Sequence, residues 1–152
     1  MEQEVGTGRF EVVLTTTRDF NKYSQWIAKR WGDVRSLRFC GFLDKESLAK
    51  AYSQADCLVF PSKVETWGLP ISEFAPTGRP MLLADLPYAH ETAAGSLRTA
   101  FFNPTDAKAL AALMLSVINA DEHPLHPVPI TLTEPPCTQG WPQLIDKLLN
   151  GK

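Results

Sequence analysis

The sequence predicts a doubly wound α/β domain built on a parallel sheet. Short, continuous apolar runs recur along the chain, and stretches of helical periodicity separate them. Strands that are apolar throughout, with no polar alternation, are the kind that helices bury on both faces of a parallel sheet.

The elements follow in order. "FEVVL", Phe10 to Leu14, reads as a buried strand, and Phe20 to Trp31 as a helix with Phe20, Tyr23, Ile27 and Trp31 on one side. That aromatic stripe is expected to face the core, with a membrane surface as the other option because Lys22, Lys29 and Arg30 lie opposite. "SLRFCGF", Ser36 to Phe42, is a second strand, and Asp44 caps a helix running to Ala55. "DCLVFP", Asp56 to Pro61, is a third strand. A helix from Pro70 to Thr77 stops at Gly78 and Pro80. "PMLLA" and "TAFF" are two further strands, "LPYAHE" between them reads as a loop, and Asp106 to Asn119 is a periodic helix. Residues 1–120 thus form one domain. Five prolines between Asp121 and Gly140 make residues 121–140 an extended strap, and residues 141–152 a short helix that docks back on the same domain.

Composition narrows the function classes. At 152 residues and 44% hydrophobic content the chain can bury a real core. A net charge of -2 with mixed signs gives no basic footprint for nucleic acid. Cys40, Cys57 and Cys137 are an odd, scattered set, which fits reduced thiols and a cytoplasmic location. The start of the chain has no signal-peptide pattern and no apolar run is long enough to span a membrane, so any membrane contact is expected to be peripheral. His123, His126 and Cys137 do not make a zinc set, since Pro124 and Pro127 prevent a helical His pair and no fourth ligand is near.

The informative stretch is Glu65 to Glu73, after the third strand. Ligands of such sheets sit beyond the carboxyl ends of the strands. Pro70 suits a first helical position and no capping side chain precedes it directly, so the amides of Ile71, Ser72 and Glu73 are expected to be open to an anion such as a diphosphate. Gly68 lets the backbone come close. A carboxylate accepts two hydroxyl hydrogen bonds, so carboxylates on either side of a phosphate site suit a ligand with a sugar at each end. A nucleotide sugar has that layout.

Glu65 and Glu73, with seven residues between them inside "PSKVETWGLPISEFAPTGRP", resemble the Glu-x7-Glu motif of retaining GT-B glycosyltransferases of the large family 4 group. "RFCGFLDKESLAKAYSQADCLVFPS" before the motif and "AFFNPTDAKALAALM" after it extend the resemblance from Phe10 to Leu115. It implies a Rossmann-like C-terminal donor-binding half. Glu73 would bind the ribose and Glu65, the residue nearest catalysis, the donor sugar. Backbone from Thr66, Trp67, Gly68 and Leu69 would approach sugar and phosphate, and Gly41, Phe42 and Leu43 would border the base. It also implies no metal and no cofactor, the nucleotide-sugar donor being a substrate, and an acceptor glycan or glycoconjugate of polysaccharide synthesis held by a separate N-terminal domain.

The chain departs from the family pattern at Trp67, Phe74, Pro76 and Arg79, and no Gly-Arg pair with a following Lys precedes Phe10. Those cations stabilise the leaving diphosphate, so the isolated chain is expected not to catalyse. Arg18, Lys63 and His90 are weaker candidates at ligand-facing loops. Ser62 and Glu65 also match a capping box, which would make Glu65 structural. The rivals are a sugar-nucleotide epimerase of GT-B architecture and a non-catalytic nucleotide- or partner-binding domain.

Overall fold

The structure is a computed structural model and describes residues 5–6, 8–130, 138 and 140–150. It is α/β with parallel strands flanked by helices, as the apolar runs predict, but the strands divide between two sheets. β1 (Val12–Leu14) pairs with β2 (Leu37–Phe39), Val12 opposite Leu37. β3 (Leu58–Phe60), β4 (Met81–Ala84) and β5 (Thr99–Phe102) form the second sheet in that order, with Leu58 opposite Met81 and Met81 opposite Thr99.

The core belongs to the three-stranded sheet. β4 is central and all four of its residues are buried. Successive side chains of a strand point to opposite faces. Met81 and Leu83 accordingly join Ile71, Phe74, Ala89 and Ala93 on one side, while Leu82 joins Ala100 and Phe102 on the other. The first side is covered by α3 (Leu69–Phe74) and α4 (Pro87–Thr92), the second by Leu110, Leu113, Met114 and Val117 of α5 (Ala107–Ile118). Asp106 caps α5 through the amides of Lys108 and Ala109, both at 3.0 Å. α3 runs into a 3-10 turn, Ala75–Thr77, which Gly78 ends at φ 67°. The start of the strap lies along β5: His126 and Thr99 exchange backbone hydrogen bonds of 2.9 and 3.1 Å, and Val128 is buried. This covers a strand edge that would otherwise offer unpaired groups. Residues 131–137 of the strap, Cys137 included, fall outside the described residues.

Around β1 and β2 the chain is more open. α1 (Lys22–Trp31) is capped by Asn21, whose Oδ1 accepts from the amides of Tyr23 and Ser24, both at 2.9 Å. Its aromatic stripe does not enter the core. Phe20, Tyr23 and Trp31 are 58%, 68% and 46% exposed, and Ser24 is the buried residue of the helix. Ser24, Ile27 and Ala28 form the inward face, one step around from the aromatic one. Two three-residue strands offer too little surface to cover both. Phe20 instead packs edge-on against Phe42, with ring centroids 4.8 Å apart, and Tyr23 stacks on Trp26. α2 (Lys45–Gln54) starts at the Asp44 cap expected from sequence, with Asp44 Oδ1 accepting from the Ser47 amide at 2.8 Å. α6 (Trp141–Asn150) closes the chain with Trp141, Leu148 and Leu149 exposed.

"LPYAHE" is therefore a helix, not a loop. Pro87 opens α4 without a side-chain cap. A proline preset to helical φ at the first position was the available signal.

Candidate functional site

The site is built at the carboxyl end of β3. Ser62 to Trp67 form an irregular loop, Gly68 turns the chain, and α3 begins at Leu69. No helix follows Ser62 within this loop, so the capping-box reading of Glu65 fails: Ser62 Oγ donates to the Val64 carbonyl at 3.2 Å. Gly68 is buried at φ 82°. A Cβ there would lie 3.2 Å from the Tyr88 ring and from Ile71 Cδ1, so glycine is required both by the backbone and by the space.

Pro70 is the second residue of α3, not the first, and the Ile71 amide donates to the Gly68 carbonyl at 2.9 Å. Ile71 thus leaves the set of amides open to an outside anion, and Ser72 and Glu73 leave it too, because with Leu69 first in the helix their amides fall in the helix's own ladder. No side chain caps the helix, as expected, but six residues sum to a small dipole. The carboxylates become the stronger half of the site.

Both carboxylates are exposed, Glu65 in the loop and Glu73 in the last turn of α3. Among the described residues neither enters an ion pair. Glu73 Oε2 accepts from the Tyr52 hydroxyl at 3.4 Å, a long bond. Burial, followed by the Glu73 charge and this bond, pushes the Tyr52 phenol up to about 12. Tyr88 is pushed up as well, first by burial and then by the charge of Glu65. Glu65 therefore lies within electrostatic reach of α4. Two unpaired carboxylates beside a glycine turn can accept from hydroxyls that a ligand brings.

The family pattern for glycosyl transferases group 1 matches residues 5–120. This chain belongs to that family. Glycogen synthases of two Mycobacterium tuberculosis strains, CDC 1551 / Oshkosh and ATCC 25618 / H37Rv, are each 30% identical to this chain over 92 residues, 60% of the chain. The aligned part is 22% of each relative's length. No solved structure matches significantly.

The remaining candidates take varied positions. Thr66, Trp67 and Leu69 are exposed around Gly68. In the turn after β2, Gly41 has φ 79° and its amide donates to the Thr16 carbonyl at 3.1 Å, Phe42 is exposed against Phe20, and Leu43 is half-buried. Arg18 is occupied, donating to the Gly32 carbonyl at 3.3 Å with its guanidinium 5.1 Å from the Phe39 ring centroid. Lys63 is exposed in the Glu65 loop. His90 lies on the helix face away from Tyr88 and Thr92, 2.7 Å from Asp85 and stacked on Phe101, in a groove with His126 and Pro127. Among the described residues no group of three His, Cys, Asp or Glu could hold a metal ion.

Two departures from the family pattern prove structural. Phe74 is fully buried with its ring edge-on to Tyr52, centroids 5.7 Å apart. Arg79 Nη1 donates to the carbonyls of Ser53 at 2.9 Å and Ala55 at 2.5 Å, satisfying the end of α2. Sequence reasoning missed Tyr52, Tyr88 and Thr92. Tyr88 and Thr92, four apart after Pro87, share a helix face and were legible once that helix was recognised; nothing local signals Tyr52.

Proposed function

We propose that this chain is the nucleotide-sugar-binding half of a retaining glycosyltransferase, which moves a sugar from a nucleoside-diphosphate donor to a glycan or glycoconjugate acceptor. The observation that carries the reading is the pair of exposed carboxylates, Glu65 and Glu73, which enter no ion pair among the described residues and lie on either side of the buried Gly68 turn in a chain of this family. Glu73, touched by Tyr52, takes the ribose hydroxyls, and Glu65 takes the donor sugar. Gly68 and its exposed neighbours Trp67 and Leu69 bring backbone towards the diphosphate.

The carboxylates bind and orient, and orientation is the source of their contribution to rate. The departing phosphate helps to deprotonate the acceptor hydroxyl on the same face of the sugar, which gives retention. No metal or cofactor takes part, and the donor is a substrate. The acceptor is held by a second domain, so residues 1–152 alone bind donor without transferring it. The reaction runs on the cytoplasmic side, with at most peripheral membrane contact; no helix among the described residues is long and apolar enough to cross a membrane.

Ligand-observed NMR with a panel of nucleotide sugars, and then with the bare diphosphate, base and sugar, tests the binding. Glu73→Ala should weaken the bare diphosphate and Glu65→Ala chiefly the sugar-bearing donor, each by roughly 1.5–3 kcal/mol for lost charge-assisted bonds. Equal losses for the bare diphosphate in both variants would overturn the two assignments. A radiolabelled transfer assay on residues 1–152 checks the last expectation, and turnover would overturn it.

A further inference from the structure

We propose that α4 braces the Glu65 loop, with Tyr88 and Thr92 as positioning residues for the Glu65 carboxylate; the inference rests on the reading of Glu65 as the donor-sugar contact. The brace grips the loop at both ends. The Tyr88 hydroxyl donates to the Ser62 carbonyl at 2.7 Å, where the loop leaves β3. The Tyr88 ring then lies against Gly68, where the loop ends, and packs edge-on to Phe60 with centroids 6.4 Å apart. One turn further along α4, Thr92 Oγ1 donates to the Trp67 carbonyl. Glu65 sits midway between the anchored carbonyls of Ser62 and Trp67.

The brace is rigid where the loop is not. Ala89 and Thr92 of α4 and Ala93 just after it are buried, whereas residues 63–67 are exposed and no regular secondary structure holds them. An irregular segment of exposed residues keeps one geometry only if something outside it fixes its backbone. Here the fixing atoms are two hydroxyls on one helix face. Glu73 stands apart from this device, since it is carried by α3 and touched by Tyr52. The brace should therefore affect the sugar contact most and spare the ribose contact of Glu73.

Tyr88→Phe and Thr92→Val each remove one hydroxyl and keep the shape, and Thr92→Ser restores the hydroxyl. Backbone 15N relaxation on the 152-residue chain without ligand should show the order parameters of residues 62–68 falling from about 0.85 to below about 0.6 in the variants. β4 should stay rigid and Thr92→Ser should restore the original values. Unchanged order parameters across residues 62–68 overturn the brace. Affinities for UDP-, GDP- and ADP-hexoses and for the bare diphosphates then test positioning. The variants should lose affinity for the best-bound nucleotide sugar by about three- to tenfold, the worth of one neutral hydrogen bond, and lose less for its diphosphate, which the Trp67 and Gly68 backbone also approaches. Lower order with full sugar preference would overturn the positioning role. If the original chain prefers no nucleotide sugar over its diphosphate, the nucleotide-sugar reading fails and, with it, the role of the brace in it, whatever the order parameters show.

Discussion

The two sheets are written in the same kind of sequence and are buried very differently. β1 reads VVL and β4 reads MLLA, yet Val13 of β1 is 40% exposed and every residue of β4 is buried. β4 has a strand on each side and helices on both faces, whereas β1 and β2 have each other and one shallowly seated helix. Their outward surface is polar in places: Arg38 of β2 forms a two-pronged pair with Glu11, at 2.8 and 3.0 Å. Exposed pairs of this kind contribute little. Apolar content made both regions candidates for the core, and the number of covering layers chose between them. The Glu65–Glu73 stretch grows out of the well-covered half, which can hold an irregular loop in place.

Substitutions should expose this difference. Phe74→Ala empties a fully buried site under the three-stranded sheet and should cost about 3–5 kcal/mol in urea unfolding. A loss below 1 kcal/mol would mean that this half is not the core. Arg79→Ala leaves the carbonyls at the end of α2 without their donor, loosening the joint between the halves, and should cost about 1–3 kcal/mol. The measurement is again the urea midpoint, and an unchanged value would show that α2 is held elsewhere.

Tyr52 offers a gentler probe of the same joint. Its phenol is raised from 10.0 to about 12 in the folded chain. Below pH 10 both states keep the proton and stability is unaffected. Between about pH 10 and 12 the unfolded chain ionises while the folded one still holds its proton, so the folded state binds more protons and stability falls as pH rises. Tyr52→Phe should flatten that part of the curve, and an identical slope would disconnect Tyr52 from it. The smallest effect belongs to the open half. Trp26→Ala should change stability by less than about 0.5 kcal/mol, because its side chain is 54% exposed. A core-sized loss there would erase the contrast between the two sheets.

Much of the site was legible before the structure. Glu65, Gly68 and Glu73 are local: a strand end, a turn that needs glycine and a helix start follow one another, and short-range chemistry fixes each. The Asp44 cap and the Gly78 stop are legible for the same reason. The amides of Ile71, Ser72 and Glu73 were misjudged because Pro70 stands second in α3, not first, and the register of the first turn decides which amides the helix consumes.

By itself, then, the sequence determined the α/β class, the parallel strands and the two carboxylates around their glycine, all set by periodicity and by residues a few positions apart. Tertiary structure alone decided that the strands form two sheets, that the aromatic face of α1 stays outside, and that Tyr52, Tyr88 and Thr92 reach the Glu65–Glu73 stretch. Those outcomes depend on contacts between residues roughly twenty or more positions apart, such as Tyr88 with Ser62 or Thr92 with Trp67. Periodicity can rank the faces of a helix, but only the surface it meets determines which one is buried.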